Sequence, residues 1–174
     1  ANLRISRPRI AKVHHVCAQV RRMKAQDPAL SLVVIDYLQL MHVSGDNRAA
    51  GIGDITRALK LLASELDIAV LLLSQLNREL EKRTDKRPIV ADLRDSGSIE
   101  QDADAVIFIY RDEYYHRDSR DKGTAEIIVA LQRAGPPGMV RALYRPDRFR
   151  FENLPFGWEP APLPQKAEKP KARG

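Results

Sequence analysis

The sequence has little cysteine, few aromatic side chains and no long apolar run, and each shortage excludes a class of protein. Cys17 is the only cysteine among 174 residues, so an intrachain disulfide and a four-cysteine metal site are both excluded. The longest apolar runs, residues 32–35 and 68–73, are far shorter than the roughly 20 residues that span a bilayer. The first 24 residues also lack the apolar segment of a signal peptide. The sequence therefore predicts a cytoplasmic protein that does not cross a membrane.

Positive charge is concentrated at the amino-terminal end of the chain. The formal net charge is +6, and residues 1–24 contain seven basic side chains and no acidic one. The remainder is almost neutral, with 22 basic and 23 acidic side chains. A basic segment of this kind either contacts phosphate groups or forms a solvated helix face. Charge alone favours the solvated face.

The spacing of apolar residues predicts an α/β fold. Apolar side chains three and four residues apart over residues 9–24 indicate an amphipathic helix. The runs at 32–35 and 68–73 are typical of parallel strands buried on both faces. Helical spacing over residues 55–66 joins them into a strand–helix–strand unit with a right-handed crossover. Further strands are predicted over residues 105–109, 125–130, 140–144 and, as a short edge strand, 148–151.

Three segments lack the spacing of a strand or a long helix. Residues 42–53 contain several glycines and are predicted to form a loop. Residues 75–96 are polar and charged, which predicts a long loop, followed by a short helix over residues 99–103. Five of the last twenty residues are proline, which is typical of a disordered tail. We therefore expect one folded domain over residues 1–154 and a tail over residues 155–174.

Polar residues follow each of the two predicted parallel strands. Asp36 comes directly after the first strand, at the edge where α/β sheets bind ligands. In nucleotide-hydrolysing folds this is the Walker B position, whose carboxylate holds Mg²⁺, usually through water. A simple cap of the next turn explains Asp36 equally well. Gln75, near the end of the second strand, either orients water or senses a γ-phosphate, or it satisfies backbone groups of the loop.

Residues 90–104 form the most unusual segment, because it is too polar for a core and too long for a simple turn. Asp92 and Ser96 are good helix caps. Backbone amides near Gly97, at a helix start, are suited to bind a phosphate, and Arg94 offers a guanidinium fork for the same purpose. The alternative is a capped, solvated loop.

Together these motifs resemble the C-terminal motor domain of the bacterial replicative DNA helicases, the DnaB-type family. The resemblance rests on VIDYLQLM at 34–41, LSQL at 73–76, DLRDSGSIEQDAD at 92–104, FIYRDE at 108–113 and QRAGPPG at 132–138. The motifs follow the family's order and spacing between about residues 5 and 154. The resemblance implies a partial RecA-like fold, with a mostly parallel sheet flanked by helices and a C-terminal antiparallel strand pair.

The resemblance also implies a function, since the family unwinds duplex DNA as a ring of six subunits driven by ATP and Mg²⁺. By resemblance, Asp36 binds the metal and Gln75 senses the γ-phosphate of ATP. Arg133 corresponds to an arginine finger that reaches the nucleotide of the neighbouring subunit. The contacts to single-stranded DNA that the resemblance implies are Arg94, Asp95 and Gly97.

The sequence departs from the family pattern in three places. Leu131 stands where the family usually has lysine, and Ala134 stands where it usually has asparagine. The 174 residues also contain no G-x-x-x-x-G-K-[ST] phosphate-binding loop. In RecA-like sheets the strand before that loop lies between the strands predicted here at 68–73 and 105–109. We therefore expect two unpaired strand edges, so that the 174 residues alone are poorly stable, close their sheet differently or form the tail of a longer gene product.

Three hypotheses remain open at the level of sequence. In the first, the chain is part of a helicase motor, inactive by itself and completed by an N-terminal half and by its ring neighbours. In the second, it is a non-catalytic split or truncated relative that binds DNA or a helicase ring without hydrolysing ATP. In the third, it is a remnant without a role. Leu131 and the absence of the phosphate-binding loop from these 174 residues favour the latter two, whereas Asp36, Gln75, Arg94 and Arg133 favour the first.

Overall fold

The structure is a computed structural model that describes residues 3–7, 11–43, 47–93 and 96–160. The chain divides into two compact units. The first comprises Ala1–Val106 and Ala130–Pro137, and the second comprises Ile107–Val129 and Gly138–Gly174. Within the described residues, every helix is too short or too polar to cross a membrane.

The elements follow the order that the apolar spacing predicts. The helices are α1 (Val13–Gln26), α2 (Arg48–Leu66), α3 (Ser96–Asp102) and α4 (Asp112–Tyr115). The strands are β1 (Leu32–Ile35), β2 (Ala69–Leu72), β3 (Ala105–Tyr110), β4 (Thr124–Gln132), β5 (Gly138–Arg145) and β6 (Arg150–Glu152). Short 3₁₀ turns occur in segments that the sequence predicts as loops or leaves unassigned. They lie at Leu38–Leu40, Arg78–Lys82 and Val90–Asp92.

The strand–helix–strand unit β1–α2–β2 is confirmed. The two strands are parallel, with Leu32 paired to Ala69 and Ile35 paired to Leu72. The buried face of α2 includes Ile52 and Leu62, which are almost inaccessible to solvent. Full burial of such a side chain contributes about 1.5–3 kcal/mol, so this face anchors the first unit.

Helix α2 begins earlier than the sequence predicts. The glycines of residues 48–53 predict a loop, but the structure places these residues in the helix, so that expectation is wrong. The side chain of Asn47 caps the helix by accepting a hydrogen bond from the amide of Ala50 at 3.2 Å. Gly53 serves packing rather than flexibility, since a Cβ there would lie 2.8 Å from the Oγ of Ser98 in α3.

Helix α1 also differs in its start. It begins at Val13 after Lys12, which provides no side-chain cap, whereas residues 8–10 lie outside the described ranges. Ser6, which precedes the helix, accepts a hydrogen bond from the Nε2 of Gln19 at 2.7 Å. Cys17 is buried, and burial raises the pKa of its thiol.

One face of the β1–β2 sheet is exposed, although the sequence predicts strands buried on both faces. Leu32, Val34 and Leu71 are 51%, 53% and 50% exposed, and Val34 pairs directly with Leu71 across the ladder. The expectation of two buried faces is therefore wrong for this chain. Its physical reason is that no described residue of the first unit covers these three side chains.

The sheet is divided in the way that the absent phosphate-binding strand predicts. β1 and β2 form a two-stranded sheet, and the second sheet has the order β3–β4–β5–β6. β2 and β3 are therefore both end strands, which confirms the two unpaired edges. A two-stranded sheet alone is marginally stable in water, so the edge of β2 is a weak point of the first unit.

The second unit is built around the antiparallel strands β4, β5 and β6. Ile127 pairs with Val140, and Tyr144 pairs with Phe151, so the antiparallel end contains three strands rather than a pair. Arg141 forms ion pairs at 2.9 Å with both Asp121 and Glu126. These pairs join the loop before β4 to the middle of the hairpin.

Two carboxylates of the second unit predict a loss of stability in acid. The Arg111 guanidinium and the amide of Gly123, at 2.9 Å, hold the pKa of Glu113 below its ordinary value of 4.5. Burial raises the pKa of Asp112, but hydrogen bonds from Ser119, Tyr110 and His116 outweigh it and leave a net decrease.

A carboxylate with a lowered pKa stabilises the folded state above its ordinary pKa and loses this contribution as the pH falls. We expect the unfolding midpoint of the second unit to be constant above about pH 5 and to fall below about pH 4.5. The fluorescence of Trp158, the only tryptophan, reports this unit. The E113Q variant should show a shallower fall, and an unchanged fall would contradict the assignment.

Candidate nucleotide and DNA site

The carboxyl ends of β1 and β2 lie side by side. After the last ladder pair, Ile35 and Leu72, the amide of Leu73 donates to the carbonyl of Ile35 at 3.0 Å. The amide of Leu38 then donates to the carbonyl of Leu73 at 2.8 Å. The two chains are therefore tied together where they leave the sheet, and the peptide bond that follows Asp36 is cis.

Asp36 and Gln75 open onto the same pocket. This pocket has a volume of about 260 Å³ and is lined by Asp36, Tyr37, Leu73, Ser74 and Gln75. The side chains of Asp36 and Gln75 are exposed, so both are available to a ligand. The structure thus brings together the two residues that the sequence predicts for metal binding and phosphate sensing, and their roles remain predictions.

Gln39 joins the two strand ends and was missed by reasoning from the sequence. Its Nε2 donates to the Oγ of Ser74 at 3.0 Å and, more weakly, to the carbonyl of Gln75 at 3.4 Å. Its Oε1 accepts from the amide of Gln75 at 3.1 Å. Gln39 lies in the turn directly after β1, opposite the end of β2. This position is the one signal that could have predicted its role.

We expect the Q39L variant to destabilise the first unit by about 1–2 kcal/mol, because the half-exposed bonds to Ser74 and Gln75 are lost. Chemical denaturation of the intact gene product measures this difference. L40Q is a control nearby, since Leu40 is 63% exposed and the substitution removes none of these bonds. A Q39L unfolding curve that overlays the curve of the unchanged protein would show that the hydrogen bonds of Gln39 contribute nothing to stability.

Of the three residues predicted to contact DNA, the structure describes Gly97 alone. Arg94 and Asp95 lie outside the described residues, so their placement is not tested. Gly97 is in the first turn of α3 and is exposed, and a Cβ built on it would meet nothing within 4 Å. Asp92 is a cap, as predicted, since its carboxylate accepts from the amide of Ile89 and pairs with Arg83, both at 2.8 Å.

Arg133 lies at the opposite end of α3. Its Nε donates to the carbonyl of Ala103 at 3.0 Å, and a terminal nitrogen donates to the carbonyl of Gln101. Arg133 is not among the residues that line the Asp36 pocket. The structure therefore does not bring Arg133, the predicted arginine finger, to the Asp36 pocket of its own chain.

The family follows from comparison of the sequence with known proteins. Residues 1–153 match the family model described as the DnaB-like helicase C terminal domain. The chain belongs to this family. It is 55% identical over 139 residues to the replicative DNA helicase DnaB of Pasteurella multocida, which covers 79% of this chain and 30% of that protein. It is 47% identical over 159 residues to DnaB of Geobacillus stearothermophilus, with 90% and 35% covered.

Solved structures confirm the DnaB-like fold. The chain superposes with a TM-score of 0.84 and 42% identity on "The Structure Of A DnaB-Like Replicative Helicase And Its Interactions With Primase", covering 88% of this chain and 37% of the other. It superposes with a TM-score of 0.78 and 43% identity on a second solved structure, described as an ATPase domain, covering 82% and 51%. The predicted α/β, RecA-like fold class is therefore confirmed, and the chain spans about a third of the curated relatives it matches.

Proposed function

We propose that this DnaB-like chain is the portion of a ring-forming replicative DNA helicase that couples ATP hydrolysis to DNA unwinding. The observation that carries the proposal is the shared pocket of Asp36 and Gln75 at the ends of two neighbouring parallel strands. Ligands of α/β sheets bind at this edge. The loop that grips the triphosphate would come from outside these 174 residues, which contain no such motif.

The residues of the pocket fit a magnesium nucleotide. Asp36 is the one carboxylate among the residues that line the pocket, and within the described ranges no three histidine, cysteine or acidic side chains cluster to hold a metal. Mg²⁺ commonly binds through one or two carboxylates, several waters and the phosphates of its substrate. Asp36 is exposed and would accept hydrogen bonds from water on the metal. Bound Mg²⁺ would neutralise charge that develops on the transferring phosphoryl group.

A held backbone and an exposed side chain suit Gln75 to the role of a phosphate sensor. Its amide and carbonyl are both held by Gln39, so its backbone has little freedom to move. Its side chain is exposed at the pocket and is free to change rotamer. The side-chain amide of Gln75 would therefore respond to the presence or absence of a γ-phosphate by a change of rotamer. The strand itself would not move.

The proposed partners are single-stranded DNA and further subunits of a ring of six. Arg94, Asp95 and Gly97 would contact the DNA backbone, and Arg133 would reach the nucleotide of a neighbouring subunit. An N-terminal half, on the same or another polypeptide, would complete each motor domain. We place this activity in the cytoplasm.

ATP hydrolysis and unwinding of a forked duplex by the intact gene product test the proposal. We expect unwinding that requires ATP and Mg²⁺, and hydrolysis that single-stranded DNA stimulates. DNA affinity should fall steeply with salt, since phosphate contacts carry it. Strand separation without nucleotide, or salt-independent DNA binding, would contradict the assignment.

A second candidate function is favoured by Leu131. This residue lies in β4, two positions before Arg133, where related helicases carry a lysine. Loss of that cation removes one of two positive charges from the site shared between subunits, as expected for a non-catalytic relative that binds DNA or a helicase ring. For a catalytic protein, the L131K variant should hydrolyse ATP about 5- to 30-fold faster, as expected for a partly exposed charge worth about 1–2 kcal/mol. Stable DNA binding with no hydrolysis in either form would support the second candidate.

A further inference from the structure

The side chain of Gln39 extends the hydrogen bonding of the parallel sheet beyond the end of β2. Its Oε1 accepts from the amide of Gln75 at 3.1 Å, and its Nε2 donates to the carbonyl of the same residue at 3.4 Å. An amide and a carbonyl of one residue are the two groups that a neighbouring antiparallel strand would bind. Gln39 therefore takes the place of a strand just after the last ladder pair, Ile35 and Leu72.

Gln39 is itself held by the core and by the second strand. The residue before it, Leu38, is 1% exposed, and the amide of Leu38 donates to the carbonyl of Leu73 at 2.8 Å. The Nε2 of Gln39 also donates to the Oγ of Ser74 at 3.0 Å. A buried neighbour and three side-chain hydrogen bonds leave Gln39 few alternative rotamers. The position of this side chain is therefore passed on to the backbone of Gln75.

The chemistry of this contact requires a carboxamide of the right length at position 39. Glutamine carries a donor and an acceptor on one planar group, which matches the carbonyl and the amide of Gln75. Leucine has a similar size but offers neither. Asparagine carries the same group on a side chain that is shorter by one bond, about 1.5 Å. Asparagine therefore keeps the polarity of this position but cannot reach the same partners.

Gln75 is restrained on both sides, and only its side chain is exposed. The next residue, Leu76, forms an antiparallel bridge with Leu93, whereas Gln39 holds the backbone of Gln75 directly. The side chain of Gln75 opens onto the pocket that Asp36 also lines. The point from which this side chain reaches a ligand is thus defined relative to the proposed metal-binding carboxylate.

We propose that Gln39 is a positioning residue for Gln75, and that it thereby sets how strongly the pocket prefers a nucleotide with a γ-phosphate over one without it. This inference rests on the proposed function, in which Gln75 senses that phosphate. A hydrogen bond weakens steeply as its geometry departs from the optimum, so a displaced Gln75 loses part of its bond to the phosphate. ADP has no γ-phosphate, and its binding does not depend on Gln39.

The relative affinity for two nucleotides, measured by calorimetry on the intact gene product, tests the inference. The nucleotides are magnesium ADP and a non-hydrolysable magnesium ATP analogue. The Q39L variant should lower the affinity for the analogue relative to ADP about three- to tenfold, as expected for partial loss of a hydrogen bond to a charged group. An unfolded fraction weakens both apparent affinities by the same factor, so their ratio does not respond to a loss of stability.

Two further variants show whether reach or polarity matters at this turn. Q39N should lower the ratio as much as Q39L does, because its amide falls short of Gln75. L40Q is the matched control, since Leu40 lies in the same turn, is 63% exposed and makes none of these bonds. Its ratio should equal that of the unchanged protein.

A double-mutant cycle separates positioning from a general effect of the substitution. Q75A removes the sensor side chain and should lower the relative affinity for the analogue about tenfold or more. Since Gln39 acts through Gln75, adding Q39L to Q75A should change the ratio by less than about twofold. The effect of Q39L is thus expected only where the side chain of Gln75 is present.

The outcomes separate the inference from the proposed function. A normal ratio in Q39L, together with a lowered ratio in Q75A, would show that the bridge of Leu76 suffices to place Gln75, which overturns the inference alone. An undiminished effect of Q39L in the Q75A background would overturn it too, because Gln39 would then act independently of the sensor. A normal ratio in Q75A would overturn the role of Gln75 in the proposed function, and the inference with it.

Discussion

Replacement of Arg133 by alanine in the intact gene product is expected to lower the turnover number for ATP hydrolysis by about 10³-fold or more. An arginine finger delivered from a neighbouring subunit stabilises the charge on the transferring phosphoryl group, and such residues contribute about 10³–10⁵ in rate. The cap that the guanidinium of Arg133 forms on the carbonyls at the end of α3 is much weaker than this, since it is an exposed cation on helix carbonyls. Loss of the cap therefore cannot account for an effect of that size.

The controls for Arg133 separate charge from geometry. R133K retains the positive charge but cannot donate through a planar fork, so we expect a rate between those of R133A and the unchanged protein. R148A removes one exposed arginine of the second unit and should hydrolyse ATP at the normal rate. If R133A retains more than about a tenth of the normal rate, the arginine-finger assignment is wrong.

Replacement of Asp36 by asparagine is expected to lower the rate of ATP hydrolysis by about 10²-fold or more. The substitution keeps the shape of the side chain but removes the charge that orients Mg²⁺, and loss of one such electrostatic contact typically costs about 10²–10³ in rate. Asp36 is exposed beside the strand ends, so the fold should tolerate the change. The measurement is the hydrolysis rate as a function of Mg²⁺ concentration.

D54N is the matched control for D36N. Asp54 is an exposed acid on α2 that does not line the pocket of Asp36, so its hydrolysis should be normal. Both variants should unfold at the same temperature as the unchanged protein. Normal hydrolysis in D36N, with normal Mg²⁺ dependence, would make Asp36 a simple cap of the turn after β1.

The part of the fold that the sequence predicts best is the part with local signals. Apolar runs predict β1, β2 and β3, and apolar residues at helical spacing predict α2. Both patterns are local, because they arise from residues close together in the sequence. The start of α2 was missed because glycine signals a loop in the absence of tertiary information. In the structure, Gly53 is instead the point of closest approach to Ser98, which no local pattern reveals.

The burial of β1 and β2 was mispredicted for a different reason. Continuous apolar strands are typical of sheets covered on both faces, and Leu32, Val34 and Leu71 have that character. Their exposure shows that the side chains are suited to a layer that the described residues of their unit do not supply. The sequence pattern reports the apolar character of these strands but not whether a covering layer is present.

The candidate site was partly predictable because its two main residues follow strands. Parallel strands end at one edge of a sheet, so Asp36 and Gln75 were expected together, and the structure places them on one pocket. Gln39 and the cap by Arg133 depend on side chains that meet over 30 residues or more of sequence. Such contacts leave no periodic signal, so they emerged only from the structure.

Asp36 and Arg133 are proposed to serve one nucleotide from two neighbouring subunits, and mixing inactive variants tests this sharing most directly. A subunit of D36N still presents Arg133 to its neighbour, and a subunit of R133A still carries Asp36. Random mixing of equal amounts should therefore restore roughly a quarter of the sites and a corresponding share of the normal hydrolysis rate. A mixture as inactive as each variant alone would contradict the shared site.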